Sequence, residues 1–204
     1  MSFSIEAIDE NRLAEYARVP LVCDVTSLFD IDEINGGSGD LGLRERAVTV
    51  PYIKDYDACR DGGPLNWPAR FNISRWGLWI AREHGEVVGG TAVAWNVSDL
   101  EMLEGRDDLA VLWDIRVQAT SRRQGMGTAL FMQAAHWAKS KGCSLLKIET
   151  QNVNVGACRF YAKMGCVLSG IDREAYRHCP EVAHEIQLMW HLDLSRVGGR
   201  VTPA

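Results

Sequence analysis

A chain of 204 residues with 47% hydrophobic residues is long enough to bury its own core and too apolar for bulk disorder. A net charge of −5 argues against nucleic acid as the main partner, because a phosphate backbone favours a basic surface, and suits a cationic small molecule only weakly. Apolar runs such as 109–113 are far too short to cross a bilayer, and the start Met-Ser-Phe-Ser-Ile-Glu lacks a basic segment followed by an apolar one, so a cytoplasmic protein with no membrane partner is expected.

In chain order, residues 3–8 read as a strand and 9–18 as a short helix. Residues 22–34 are rich in apolar and β-branched types, Gly36-Gly37-Ser38-Gly39-Asp40 reads as a turn, and 41–50 as the returning arm of a hairpin. That hairpin offers a surface through which two copies could form a homodimer. Residues 51–74, with three prolines and two adjacent glycines, read as an irregular loop. Residues 78–82 and 87–94 are strand-like around a tight turn at His84-Gly85, and 97–108 form an acidic connection. Residues 109–117 are a near-continuous apolar run, as in a buried central strand. Over 124–141, Leu130, Phe131, Ala134, Ala135, Trp137 and Ala138 recur at helical spacing, and Gly142 suits the helix end. A strand over 145–150, a helix over 155–164 stopped at Gly165, and strands over 166–171 and 186–192 follow. This order predicts an α/β chain (α+β, mixed sheet) with helices against a central sheet. One domain over 1–204 is expected, with a variable part at 1–76, a core at 77–194 and a flexible tail at 195–204.

The six cysteines include no Cys-x-x-Cys pair, and no Cys/His group has zinc spacing, so no metal is expected. Cys143, Cys158 and Cys166 stand in apolar contexts and read as reduced, buried residues.

The most informative stretch is Arg122-Arg123-Gln124-Gly125-Met126-Gly127-Thr128, which follows the buried strand and opens a helix. The first helical turn has unpaired N–H groups and the positive end of the dipole. Glycines let that backbone approach a phosphate, and the arginines add charge, so a pyrophosphate is the natural guest. Taken alone, the stretch also fits a glycine-containing loop with solvated arginines. It lacks the Gly-Lys-Ser/Thr of a Walker loop and the third glycine of a dinucleotide fingerprint.

Arg-x-x-Gly-x-Gly after a strand ending Asp114-Ile115-Arg116-Val117 resembles the acyl-CoA signature of the GNAT superfamily of N-acetyltransferases. A second block, Asn154-x-x-Ala157-x-x-Phe160-Tyr161-x-x-x-Gly165, is similar to that superfamily's Asn-x-x-Ala-x-x-Phe-Tyr helix, with Cys166 where Phe is more usual. The resemblance covers 78–194 well and the first seventy residues poorly. It implies the GNAT-like acyl-CoA N-acyltransferase fold, with acetyl-CoA as co-substrate and an amine acceptor. It further implies that the backbone of Ile115 and Val117 meets the pantetheine arm, and that the loop from Arg122 through Arg123, Gln124, Gly125, Met126 and Gly127 to Thr128 holds the pyrophosphate. Asn154 would bond the pantetheine region, and Tyr161 would protonate the departing thiolate.

The general base stays open. Asp114 sits on a buried strand, where a carboxylate needs a reason: it either activates the amine or pairs with a neighbouring basic group. Glu149 and Glu185 are rivals. On the acceptor side, Asp99, Glu101, Glu104, Asp107 and Asp108 form either a solvated loop or a funnel for a cation. Tyr52, Tyr56, Trp67, Trp76 and Trp79 either wall a cation site or close a core. Pro51-Tyr52-x-Lys54-Asp55-Tyr56-Asp57, Gly105 to Val117 and Glu149-Thr150-Gln151-Asn152-Val153-Asn154 resemble one branch, the streptothricin N-acetyltransferases, which acetylate the β-lysine arm of that antibiotic and confer resistance. The alternatives are a protein lysine or N-terminal acetyltransferase and a non-catalytic CoA-binding regulatory module.

Overall fold

The computed structural model describes residues 3–33, 41–58 and 62–198. The expected turn at Gly36–Asp40, Cys59 and the last part of the tail lie outside the described residues. The elements are β1 (Phe3–Ala7), α1 (Leu13–Tyr16), β2 (Val22–Glu33), β3 (Leu41–Asp55), α2 (Trp67–Arg70), β4 (Gly77–Glu83), β5 (Glu86–Trp95), β6 (Leu109–Val117), α3 (Met126–Ser140), β7 (Leu145–Gln151), α4 (Val155–Lys163), β8 (Val167–Asp172) and β9 (Gln187–Asp193). Hydrogen-bonded strand order is β1-β4-β5-β6-β7-β9-β8, with a separate β2-β3 ribbon. The β1–β4, β4–β5 and β5–β6 pairs are antiparallel and β6–β7 is parallel, so the sheet is mixed as the sequence predicts.

The chain divides into two compact units. The first takes the described residues of Met1–Leu21, Asp55–Ile148 and His191–Ala204, and the second Val22–Lys54 and Glu149–Trp190. In the first unit, one side of β4–β6 packs under Tyr16, Trp67, Ile73 and Trp76, which join Leu78, Ile80 and Val111 in one buried cluster. Trp67, Trp76 and Trp79 are only 3%, 8% and 6% exposed, so these tryptophans close a core and do not wall a cation site. Met126 and Leu130 of α3 pack on Ala81 and Val88 in a second cluster. Each such buried side chain contributes roughly 1.5–3 kcal/mol, which outweighs any cap in holding α3 to the sheet. In the second unit, β2 of the ribbon neighbours α4, and Phe29 and Asn152 exchange two hydrogen bonds of 2.9 Å.

Two differences from the sequence reading have simple causes. The short helix expected at 9–18 is a 3-10 turn at Glu10–Arg12 followed by the single turn of α1. β3 runs on through Pro51 to Asp55, five residues past the expected end, because a two-stranded ribbon leaves one side of each strand unpaired and tolerates the missing N–H. At the β4–β5 turn, His84 and Gly85 both have positive φ, 52° and 86°, as a two-residue hairpin turn requires.

Candidate active site

The ladder between β6 and β7 runs from Leu109↔Leu145 to Leu112↔Ile148 and stops there. The ladder between β6 and β5 continues to Gly89↔Val117. The cause lies in the register: Ala92 faces Asp114 and Val93 faces Leu112, so Trp113 is an extra residue on β6. Such a bulge bends its strand and adds twist. Among the described residues, Asp114–Val117 are therefore in ladder register with β5 and not with β7. Ile115 and Val117, half-buried, lie on this stretch, and its second edge suits an extended amide-bearing ligand.

From Val117 the chain makes one 3-10 turn at Ala119–Ser121 and enters α3. Arg123 and Gly125 both have positive φ, 63° and 86°. The first hydrogen bond inside the helix is from Ala129 N–H to the Gly125 carbonyl, 3.0 Å, so the amides before it are the orphan donors of a helix start. Buried Met126 anchors this loop, while Arg122, Arg123, Gln124, Gly125 and Thr128 are exposed and Gly127 is half-buried. Arg122 Nε donates to the Val117 carbonyl at 3.0 Å and Gln124 Nε2 to the Thr120 carbonyl at 3.3 Å, tying the loop to itself and to the end of β6. No acidic side chain occurs between Val117 and Thr128, so the expected pyrophosphate fits in charge and in donors.

A Cβ added at Gly125 meets nothing within 4 Å, so a side chain there does not disturb the protein's own packing. Its positive φ makes a non-glycine residue cost about 1–2 kcal/mol. Gly125→Leu is expected to lower acetyl-CoA affinity more than tenfold by calorimetry while the protein stays folded. Unchanged affinity would remove this loop from the site.

Asp114 is turned the other way, into a buried polar cluster. Arg116 Nε and Nη2 donate to its two oxygens at 2.9 and 2.6 Å, and the Tyr16 hydroxyl donates to Oδ1 at 2.6 Å. Arg116 also reaches Asp57 through Nη1 at 2.9 Å and Nη2 at 3.1 Å, and the Val19 carbonyl at 2.7 Å. Gly90 opposite Arg116 makes room, since a Cβ there would lie 2.6 Å from the Tyr16 ring. The neighbouring carboxylates hold Arg116 more firmly charged than usual, and burial pushes the Tyr16 phenol well up, with Asp114 adding to it. Of the two readings the sequence left open for Asp114, this geometry matches the ion pair.

The other expected residues lie in the second unit. Asn154 is the N-cap of α4, its Oδ1 accepting from the Ala157 N–H at 3.1 Å. Tyr161 is buried on the same helix, with the Phe160 ring 5.6 Å away. Glu149 Oε1 accepts from the Tyr176 hydroxyl at 2.6 Å. Glu185 forms a buried ion pair with Lys54.

Two of the five acidic side chains of the connection, Glu104 and Asp108, form ion pairs with Lys147 and Arg106. Arg106 donates to both oxygens of Asp108 at 2.8 and 2.9 Å, Ser144 Oγ adds a third bond at 2.7 Å, and Lys147 holds Glu104 at 2.6 Å. These bonds hold the Asp108 carboxyl down at about 2, the Arg106 bond contributing most. Asp99 accepts from the Asn72 N–H at 2.6 Å. These bonds brace the loop at Asp99, Glu104 and Asp108.

Sequence reasoning missed Arg116, Tyr16 and Asp57. The available signal was an arginine two residues after an aspartate on a buried strand, since such positions share a face and each charge needs a partner.

Residues 51–166 match the family model described as the acetyltransferase (GNAT) family. The chain is 37% identical to a streptothricin acetyltransferase of Escherichia coli over 82% of its own length and 83% of the relative's. It is 39% identical to streptothricin acetyltransferase A of Bacillus subtilis over 82 residues, 40% of this chain and 47% of that protein. A provisionally named streptothricin acetyltransferase from Bacillus anthracis, solved with acetyl coenzyme A, superposes with a TM-score of 0.74 at 24% identity, covering 94% of this chain and 99% of that one. Nourseothricin acetyltransferase gives 0.74 at 20% identity, covering 95% and 99%.

Proposed function

We propose that this chain, which belongs to the acetyltransferase (GNAT) family and is an acetyl-CoA-dependent N-acetyltransferase, takes streptothricin as its acceptor and acetylates a primary amine of the β-lysine arm. The observation that carries the acceptor is the 37% identity to the Escherichia coli streptothricin acetyltransferase across four fifths of both chains. In this reading the protein is a cytoplasmic resistance enzyme.

Acetyl-CoA supplies an activated acetyl thioester. The amides of Arg123–Thr128 bind the pyrophosphate, and the open edge of β6 at Ile115 and Val117 takes the pantetheine amides. The Val117 N–H is a fixed donor for oxygen that becomes negative during attack, where such a donor is worth most if water is excluded. Asn154 fixes the start of α4, and Tyr161 supplies a proton to sulfur. An alkylammonium has a pKa near about 10.4 and must lose its proton before it attacks. Asp114 is a poor recipient, because Arg116 and Tyr16 occupy both of its oxygens. We assign that proton to Glu149.

The test is purified protein with acetyl-CoA and streptothricin, the product being followed by mass. Addition of a single acetyl group on the β-lysine arm is expected. No turnover of streptothricin, with brisk turnover of a neutral amine or a peptide N-terminus, would refute the acceptor.

A further inference from the structure

We infer that Tyr176 is a positioning residue for the acetyl transfer, its phenol orienting the Glu149 carboxylate toward the acceptor's ammonium. The inference rests on the assignment of Glu149 as base made above and adds a residue that the sequence reading did not single out. Gln151 Nε2 donates to the Tyr176 oxygen at 2.7 Å, and the Tyr176 hydroxyl donates to Glu149 Oε1 at 2.6 Å. Because the Gln151 amide is already the donor to the phenol, the phenol's own proton is directed at the carboxylate. Glu149 and Gln151 stand two apart on β7, so one face of one strand holds both ends of this chain of bonds.

Tyr176 lies in the connection between β8 and β9, and its place depends on how that connection is fixed. Asn152 N–H donates to the Ile186 carbonyl at 3.0 Å, and Ile186 N–H donates to Asn152 Oδ1 at 2.9 Å. Beside them the buried Lys54–Glu185 ion pair secures the same end. The Tyr176 carbonyl accepts from the Cys179 N–H at 2.8 Å, closing a local turn. Two anchors on β7 and the residue after it therefore locate the phenol. Among the described residues, Glu185 acts on Tyr176 through space and is itself paired with Lys54. Burial, then the Glu149 charge, pushes the phenol far above its ordinary value, so it remains a donor throughout the working pH range.

The proton balance is simple. The ammonium gives one proton to the Glu149 carboxylate, which becomes the neutral acid and later returns that proton to solvent; after attack the nitrogen loses a second proton, which replaces the one that Tyr161 gives to the departing thiolate. Tyr176 keeps its own proton and supplies direction. A bond to an ionised carboxylate that is lost from this arrangement is worth roughly tenfold or more.

The experiment uses the full chain, acetyl-CoA and two protonated amines, streptothricin and L-lysine methyl ester. Glu149→Gln is expected to lower kcat/KM more than tenfold. Tyr176→Phe is expected to lower it roughly tenfold, in kcat and not in the KM for acetyl-CoA. In the Glu149→Gln background, Tyr176→Phe should cost nothing further, a coupling that a purely structural role would not show. Gln151→Leu, which removes the 2.7 Å bond that supports the phenol and a longer 3.5 Å contact to Glu149 Oε1, should lose less in the same direction and covers the case of a poorly folded Tyr176 variant. A large Glu149→Gln loss with unchanged Tyr176→Phe and Gln151→Leu rates would overturn the inference alone. A Glu149→Gln rate at the wild-type level, or no turnover of either amine by the wild type, would overturn the base assignment and Tyr176 with it.

Discussion

Replacing Arg116 with methionine is expected to destabilise the protein by about 3–5 kcal/mol, the usual result when one member of a buried ion pair is removed. Arg116 is 2% exposed and Asp114 7%. Without the guanidinium, Asp114 keeps only the Tyr16 hydroxyl as a side-chain donor in this cluster, and Asp57 loses two bonds. The methionine fills most of the volume, so the loss is electrostatic and not a cavity effect. For a chain of this size it corresponds to a fall in Tm of roughly 10 °C or more. Chemical denaturation of both proteins at neutral pH is the check. A difference below about 1 kcal/mol would mean that the cluster is solvated and contributes as a surface pair does. Asp114→Asn separates the two roles open to this carboxylate. It keeps the shape and leaves Arg116 with Asp57, so kcat should fall less than tenfold if Asp114 is structural. A loss of roughly 10²-fold or more would restore it as the base.

The contrast between Arg116 and Gly125 indicates what the sequence carried. The glycine loop is local: strand, two arginines, glycines and helix lie within about a dozen residues, and their backbone conformations follow from their types. The expected α3 and its Gly142 stop are present, with the glycine at φ 87°. The buried cluster is not local. Tyr16, Asp57 and Arg116 are separated by 41 and 59 residues at the least, and only folding brings them together. The same holds for Tyr176 and Glu149, 27 residues apart across two strands and a helix. Hydrophobic periodicity recovered the strands because it depends on neighbours, whereas the partners of Asp114, Glu149 and Glu185, which are Arg116, Tyr176 and Lys54, come from elsewhere in the fold or across a strand face. Likewise, the aromatics of 52–79 could not be sorted by composition. Tyr52 is 39% exposed and Trp67 only 3%, a difference set by the β4–β6 layer under which the tryptophan packs.

Tyr161→Phe is expected to lower kcat by roughly 10²-fold with little change in the KM for acetyl-CoA. The hydroxyl is the only group removed, and general acids contribute on this scale. The backbone around it is fixed: the Tyr161 carbonyl accepts from the Cys166 N–H at 3.0 Å, and Gly165, at φ 85°, turns the chain out of α4. The ring is 6% exposed, and it packs against Phe160, so phenylalanine keeps the packing. Binding of acetyl-CoA is assigned to β6 and to the loop before α3, which the substitution leaves alone, so the ground state should bind as before. The loss should then appear in the chemical step, where an alkyl thiolate with a conjugate-acid pKa near about 8.5 departs and needs a proton. Single-turnover measurements with saturating acceptor separate that step from product release. A burst rate near that of the wild type would make Tyr161 a packing residue of α4 and leave the departing sulfur to be protonated by another group or by water. A rate deficit with an unchanged acetyl-CoA KM, in a variant whose Tm stays within a few degrees, would identify the phenol as the acid.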